Sequence, residues 1–332
     1  MNKKILLGIL ILVLSITHLN AQKEVADLLK TGVEDATVLG KAYIEPFGGM
    51  LGRSLNAGWY NTAKVHSILG FDLTLGLNMP MASSSVKKFD VNDCLPKMSG
   101  WSLANSENHL TPTMSGSMKE NRPVLVKNGE RIELPDGLDW NFMLSPMIQI
   151  GLGLPFHTEI IGRFFPTISH SDYGKVGVWG IGLKHEIKDY LPVIKHVPLF
   201  QSSILLGYTK MGMDVKIKNL GLSGISDQKL LFDAYGFTAR LLVGVNIPIV
   251  SFYMGLGYGH SSCDFDMKGW YKIGNENDIE VIKEDPVSID NKYNYFDANI
   301  GMRLKFGVIT LHGDYTFGDY SVISAGLGIA FR

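Results

Sequence analysis

The end of the chain alternates strictly between apolar residues and small or polar ones. One face carries Ile323, Ala325, Leu327, Ile329 and Phe331, and the other carries Ser324, Gly326, Gly328 and Ala330. Because successive side chains of a β-strand point to opposite faces, this segment predicts a strand with one apolar face. In a soluble protein it would be an aggregation-prone edge, whereas a closed barrel in an outer membrane uses such a strand to complete its sheet.

The same period of two recurs in nine further segments. They are Ser67–Asn78, Asn141–Leu154, Phe156–Phe164, Lys175–Glu186, Gln201–Ile217, Leu231–Val245, Val250–His260, Tyr295–Phe306 and Ile309–Phe317. Together with the terminal strand they predict an all-β fold, a transmembrane antiparallel β-barrel. A soluble antiparallel sandwich would alternate as well, but the amount of glycine on the polar faces favours the barrel.

One long segment leaves the number of strands open. The residues between Asn78 and Trp140 have room for further strands, so about 10–14 are expected in all. Within this segment, Arg122–Val126 and Arg131–Leu134 flank Asn128-Gly129, a dipeptide typical of a tight hairpin turn. The hairpin belongs either to the barrel wall or to an extracellular loop.

The links between predicted strands alternate in length. Short links such as Gly307-Val308 and Asn246–Ile249 alternate with long polar ones such as Ser261–Lys292. Outer-membrane barrels have short periplasmic turns and longer outer loops. With the last strand ending in the periplasm, the long links fall outside and the N-terminal segment starts in the periplasm. Lys188–Pro198 is long for a periplasmic turn and is predicted to form a short helix on the barrel rim.

The N-terminus has the features of a secretory signal peptide. Lys3 and Lys4 precede the apolar run Ile5–Ile16, and Ala21 precedes Gln22. The run is too short to span a bilayer, which favours cleavage after Ala21 over an uncleaved anchor. We therefore expect residues 1–21 to be a signal peptide, 22–64 a periplasmic or plug segment, and 65–332 a barrel in the cell outer membrane.

The segment before the barrel does not alternate. Lys23–Leu29 is a candidate amphipathic helix, whereas Ala42–Trp59 contains Pro46 and several glycines and is predicted to be too interrupted for one regular element. Large aromatic side chains favour burial, so a plug or hatch inside the lumen is favoured over a loose periplasmic arm. The aromatic residues concerned are Tyr43, Phe47, Trp59 and Tyr60.

Composition agrees with a barrel and limits the partners. The chain has 37 glycines in 332 residues and only 19% charged residues, as expected where every second strand residue meets lipid. Its formal net charge of −1 offers no basic surface for nucleic acid. The expected partners are outer-membrane lipids, the barrel-assembly machinery during insertion and, if the lumen is open, a small hydrophobic molecule.

Charged residues on the inward faces allow two interpretations. Three arginines, Arg163, Arg240 and Arg303, are predicted to face the lumen together with Asp72, Glu159, Asp297 and Asp314. Ion pairs among them would fill a narrow barrel with a network of both signs. Alternatively, the arginines bind the anionic headgroup of an amphipathic ligand that lies beside the four aromatic residues of the plug.

Other chemistry is sparse. Cys94 and Cys263 are the only cysteines and both fall in predicted outer loops, where an oxidising compartment would allow a disulfide; two free thiols are the alternative. The sequence has no CxxC, no metal-ligand spacing and no GxSxG. His260, followed by Ser261 and Ser262, has no recognisable catalytic partner. We therefore predict no metal, no cofactor and no enzyme activity.

Four segments carry a family resemblance. Gly40–Ala63 followed by Gly70–Thr74 resembles a family of uncharacterised outer-membrane proteins from Bacteroidota, and Pro146–Gly153 and Gly180–Ile187 are similar to the same family. More distantly, the glycine-rich segment ahead of the barrel resembles the hatch of the fatty-acid-transporter class of hydrophobic-compound channels. That class has Asn-Pro-Ala where this chain has Asn-Thr-Ala. The closer resemblance implies an outer-membrane barrel and no established activity.

Two functions remain as hypotheses. The first is a non-enzymatic barrel that binds or transports small hydrophobic or amphipathic molecules, which requires an apolar path through the lumen. The second is a closed structural or surface-interaction barrel that acts through its long extracellular loop. An uninterrupted network of ion pairs in the lumen would favour the second.

Overall fold

The computed structural model describes residues 31–331 apart from 171–173, 193, 217–227 and 277–278. These residues include one α-helix, α1 (Val33–Asn56). The strands are β1 (Phe71–Ala82), β2 (Lys88–Asp90), β3 (Ser102–Leu103), β4 (Leu110–Pro112), β5 (Val124–Lys127), β6 (Glu130–Glu133), β7 (Ser145–Leu154), β8 (Thr158–His170), β9 (Gly174–Glu186), β10 (Phe200–Lys216), β11 (Lys229–Asn246), β12 (Val250–Lys268), β13 (Trp270–Glu276), β14 (Ile279–Glu284), β15 (Ser288–Phe306), β16 (Ile309–Thr316) and β17 (Tyr320–Phe331). Among the described residues, no helix is long and apolar enough to cross a membrane. The predicted signal peptide and the candidate helix Lys23–Leu29 lie outside these residues.

Ten strands form one closed antiparallel barrel, in the order β1-β17-β16-β15-β12-β11-β10-β9-β8-β7. The first and last strands of the chain pair directly, from Phe71 opposite Phe331 to Ala82 opposite Tyr320, and β7 closes the ring on the other side of β1. Closure leaves the wall without an exposed edge. The predicted barrel is confirmed, with ten strands.

Side chains of the wall alternate between its two faces as the sequence predicts. In β17, Leu327 and Ile329 are about half exposed, whereas Ser324 and Ala330 are buried. The outward face of the barrel is therefore apolar and the inward face is polar or small, which is the reverse of a soluble protein and typical of a membrane barrel.

The two long links 83–144 and 269–287 lie at one end of the barrel, the loop end, which also carries the short link 317–319. The turn end carries 155–157, 187–199, 247–249 and 307–308, besides the approach to β1. The predicted alternation of link lengths holds in part, because 187–199 is long for the turn end and 317–319 is short for the loop end. The predicted loop Ser261–Lys292 is shorter than expected, because β12 extends to Lys268 and β15 already begins at Ser288. The hairpin β13–β14 fills most of the remaining link.

The 83–144 link folds into a cap over the loop end. It contains a two-stranded sheet, β2–β4, and a three-stranded sheet, β3-β5-β6. The predicted hairpin is confirmed as β5–β6, with φ of 52° at Asn128 and 88° at Gly129, and it belongs to the cap and not to the wall. At the turn end, the predicted rim helix is only a pair of 3₁₀ turns, Lys188–Tyr190 and Ile194–His196.

Candidate functional site

Residues 33–66 run through the barrel from the loop end to the turn end. Asp35 in α1 accepts hydrogen bonds from the Ser99 N–H and Trp101 Nε1 of the cap, at 2.8 and 3.0 Å. His66 lies at the turn end, where its Nδ1 is 2.9 Å from Glu159 Oε2 near the start of β8. The helix contacts β1, β10, β11, β12, β15 and β17, so this segment packs on the inward face of the wall. The predicted start of the segment lies outside the described residues; the described part starts at the loop end and reaches β1 at the turn end.

The prediction that Ala42–Trp59 is too interrupted for one element is also wrong, because α1 continues to Asn56. Its glycines allow close packing on the wall and do not break the helix. A Cβ at Gly48 would lie 2.6 Å from Tyr293 Oη, and Cβ atoms at Gly49 and Gly52 would overlap Tyr320 and Ser261. The wall therefore supplies the contacts that stabilise a helix of poor intrinsic propensity.

Three side chains of the wall bind the last carbonyl groups of the helix; we call them the carbonyl anchor. Arg163 in β8 donates to Leu55 O at 3.1 Å and Ala57 O at 3.0 Å. Thr209 in β10 donates to Leu55 O, and Asn78 in β1 donates to Ser54 O and Ala57 O. Helix C-terminal carbonyls have no partner within the helix and carry a partial negative charge. The anchor satisfies them with donors from three strands.

Trp59 lies directly below the anchor and is fully buried. The Arg163 guanidinium stacks 3.5 Å from its ring centroid, a cation–π contact. On the wall, Cβ atoms at Gly182 and Gly207 would lie only 2.8 and 2.6 Å from the ring. The absence of side chains at these two glycines, which lie in neighbouring strands, thus provides the space that the Trp59 ring occupies.

Three of the four predicted carboxylates inside the barrel form ion pairs. Asp297 binds Arg53 of the helix at 2.8 Å and Arg240 of β11 at 2.6 Å. Arg303 binds Asp72 at 2.9 Å. At the turn end, Lys184 Nζ is 3.0 Å from Glu159, the carboxylate that also contacts His66. Asp314, the fourth predicted carboxylate, accepts hydrogen bonds from Tyr253 and Asn299.

The residues predicted to bind a ligand do not converge on one pocket. Tyr43 and Phe47 belong to a hydrophobic cluster shared with the cap, and Trp59 and Tyr60 belong to a second cluster near the turn end. Tyr43 donates to Asp136 O of the cap, and Tyr60 donates to Asn299. The hydroxyl groups of the two tyrosines, like the guanidinium groups of the three arginines, bind other parts of the same chain, whereas the buried Trp59 Nε1 has no hydrogen-bond partner among the described residues.

The space between the helix and the wall is small. A cavity between Phe47 and Leu51 of α1 and Phe232 and Phe265 of the wall has a volume of about 10 Å³, enough for roughly one water molecule. A long-chain amphiphile would not fit there without movement of the helix.

Both cysteines are buried free thiols. Cys94 lies in the cap as predicted, and burial raises the pKa of its thiol. The placement of Cys263 in a loop is wrong, because β12 extends past it and its Sγ donates to Gly48 O of the helix. A disulfide between the two stays a prediction.

The candidate catalytic group is split between two faces. His260 Nδ1 is 2.8 Å from Asn294 Oδ1 on the outward face of the wall, whereas Ser261 is buried against Gly52 inside the barrel. Within the described part of the chain, no three His, Cys, Asp or Glu residues are grouped as a metal site requires.

Comparisons with known proteins identify a family and a fold. The pattern of a family of unknown function (DUF6588) matches residues 1–331. No curated protein matches the chain. Among solved structures, the chain is similar to the translocator domain of autotransporter NalP from Neisseria meningitidis, at 11% identity over 89% of this chain and 98% of that chain, with a TM-score of 0.34.

Two further solved structures are similar at the same level. Outer membrane protease OmpT from Escherichia coli has 8% identity over 81% of this chain and 100% of that chain, with a TM-score of 0.35. The toluene transporter TbuX from Ralstonia pickettii has 8% identity over 80% of this chain and 90% of that chain, with a TM-score of 0.24. These similarities concern the barrel fold alone.

Proposed function

The chain belongs to the DUF6588 family of unknown function, and we propose that it is an outer-membrane barrel plugged by its own N-terminal segment that acts at the cell surface through its cap. The carbonyl anchor carries this proposal. Donors from three separate strands bind one helix end, and each would lose its partner if the segment left the lumen. Buried donors without partners are costly, so the segment is a permanent part of the barrel.

The charges inside the barrel support the same function. Asp297 bridges an arginine of the helix and an arginine of the wall, and Asp72 and Glu159 have cationic partners of their own. Breaking one buried ion pair by removing a partner typically costs about 3–5 kcal/mol. Arg240 and Arg303 are paired with carboxylates and Arg163 donates to backbone carbonyl groups of the segment, so an anionic headgroup would have to displace one of these partners.

The cap is the part of the molecule best placed to contact a partner. Its core residues Trp101 and Leu125 belong to the same buried cluster as Leu39 and Tyr43 of α1. The helix therefore joins the cap to the barrel. Long links of outer-membrane barrels face the outside of the cell, which supports a position of the cap at the cell surface.

Binding or transport of small hydrophobic or amphipathic molecules is the other hypothesis. Passage beside Phe47 and Leu51 requires displacement of the helix, because the cavity between these residues and the wall holds about one water molecule.

Conductance and binding measurements separate the two. In planar bilayers we expect the wild-type barrel to show no steady conductance, and the variant R163M/T209V, which removes two arms of the anchor, to conduct intermittently. The cap variant R131M, at an exposed arginine, is the matched control and should behave as wild type. Saturable, competable binding of a long-chain amphiphile that weakens in Trp59→Ala would instead support transport and contradict the closed barrel.

A further inference from the structure

The turn end of the barrel has an unusual surface. Each of its five links carries an exposed large apolar residue; we call these five residues the turn-end crown. They are Leu69, Phe156, Leu199, Ile247 and Val308, with exposed fractions of 72%, 89%, 52%, 48% and 46%. Apolar residues gathered at one end of a molecule mark a surface that is covered in its working state.

The backbone of the crown is a second, independent observation. Leu69, Phe156 and Leu199 have φ of 61°, 62° and 62°. This left-handed region is unfavourable for bulky side chains, and glycine, asparagine or aspartate usually occupy it. In the cap, non-glycine positions with positive φ carry asparagine or aspartate, for example Asn128 and Asp139. Three of the crown positions therefore keep a large apolar side chain where the backbone favours a small or polar one.

The wall above the crown indicates what covers it. Its outward residues next to the turns are apolar and partly exposed, among them Phe71, Leu152, Ile160, Phe252, Phe306 and Ile329. The apolar band of the wall thus continues into the turns. Exposed charged residues lie on one side of this end, where the longest link carries Asp189, Lys195 and His196 and Asp189 pairs with His157 of the neighbouring turn at 3.4 Å. Towards the loop end the outward face changes to charged residues such as Lys210, Asp233, Asp264 and Lys292.

We propose that the apolar side chains of the turn-end crown reach into the inner leaflet of the outer membrane, so that lipid and not periplasmic water surrounds these five side chains. The inference rests on the proposed membrane location and adds the depth of the barrel in the bilayer. Continuity with the lipid-facing band favours lipid as the occupant over a periplasmic protein. Contact with acyl chains would offset the cost of exposing each side chain to water.

Fluorescence quenching tests this depth. A polarity-sensitive thiol probe is attached to F156C and V308C at the crown, to L327C in the middle of the outward face and to N128C in the cap. Wild type, whose two cysteines are buried, gives the labelling baseline. In phospholipid vesicles with brominated acyl chains, we expect the crown probes to be quenched as strongly as the L327C probe and to be protected from aqueous iodide, unlike N128C.

Each outcome has one meaning. Crown probes quenched by iodide and not by brominated lipid would overturn the proposal and indicate an aqueous surface, as a periplasmic protein partner requires. If the L327C probe is also insensitive to brominated lipid, the membrane location itself fails.

A second variant keeps the test independent of probe chemistry. In L69N/F156N/L199N the new residues tolerate positive φ, so the barrel in detergent should unfold at the same urea concentration as wild type or a higher one. In vesicles, the V308C probe in this background should become more accessible to iodide, whereas the cap change D139N should leave it unaltered. An unaltered V308C probe in the triple variant would contradict the proposal.

Discussion

At the scale of single residues, the position of Trp59 depends on two wall glycines, which have no side chain. The ring occupies the space that a methyl group would need at Gly182 and Gly207, and its other face meets the Arg163 guanidinium. The alternation of β8 predicts that Arg163 faces inward. It does not predict the partner, because the arginine binds backbone carbonyls, which every residue has and no sequence pattern marks.

Gly207→Ala should lower the free energy of unfolding by about 1–3 kcal/mol, the usual cost of overpacking, because its Cβ would lie 2.6 Å from the ring of Trp59. Gly162→Ala is the matched control on the same wall, where a Cβ meets nothing within 4 Å, and a change within about 0.5 kcal/mol is expected. Urea unfolding in lipid vesicles measures both. Adding Trp59→Leu to Gly207→Ala should recover part of the lost free energy of unfolding. Equal losses in both glycine variants would contradict close packing of Trp59 on Gly207.

At the scale of elements, the strands could be predicted and the helix could not. Strand alternation is a local pattern, and it identifies all ten wall strands, although their ends differ where β12 and β15 continue into polar sequence. Helix α1 could not be predicted because it contains Pro46 and the glycines Gly48, Gly49 and Gly52, which lower helix propensity. Contacts with strands far along the chain offset this loss of helix stability. A pattern read over neighbouring residues contains no information about those contacts.

Two glycines of α1 should respond in opposite directions to the same substitution. Gly40→Ala should stabilise the barrel by up to about 1 kcal/mol, because alanine favours helix and its Cβ would make an ordinary 3.5 Å contact with Ile289. Gly52→Ala gains the same helix propensity but overlaps Ser261, so the free energy of unfolding should fall. The double variant G52A/S261G should restore it. Stabilisation by both single changes, measured by urea unfolding in vesicles, would show that the helix does not pack closely on β12.

At the scale of the whole molecule, the direction of the described segment is the feature that the sequence does not predict. Link lengths predict which end of the barrel carries the long loops, but they say nothing about a segment inside it. The contacts of Asp35 and Tyr43 with the cap and of His66 with Glu159 give its direction.

Labelling of intact cells tests the orientation and the direction together. A membrane-impermeant maleimide should label E34C, at the exposed first turn of α1, and N128C in the cap, while V308C at the turn end should stay unlabelled. After outer-membrane permeabilisation, V308C should be labelled no faster than a lipid-facing control such as L327C. Labelling of V308C without labelling of E34C would show that the barrel has the opposite orientation in the membrane.

The closed ring also constrains the order of assembly. Residues 33–66 occupy the lumen, β1 follows them closely in the chain, and β1 pairs with β17, the last strand. If the ring closed first, the segment would have to pass lengthwise through the lumen. The side chains that bind the segment in the folded protein would already lie in its way. Curling of the sheet around a helix already in place avoids that barrier. The segment then acts as an internal template that sets the curvature of the wall, and a chain cut between Ser67 and Phe71 after folding should still retain it.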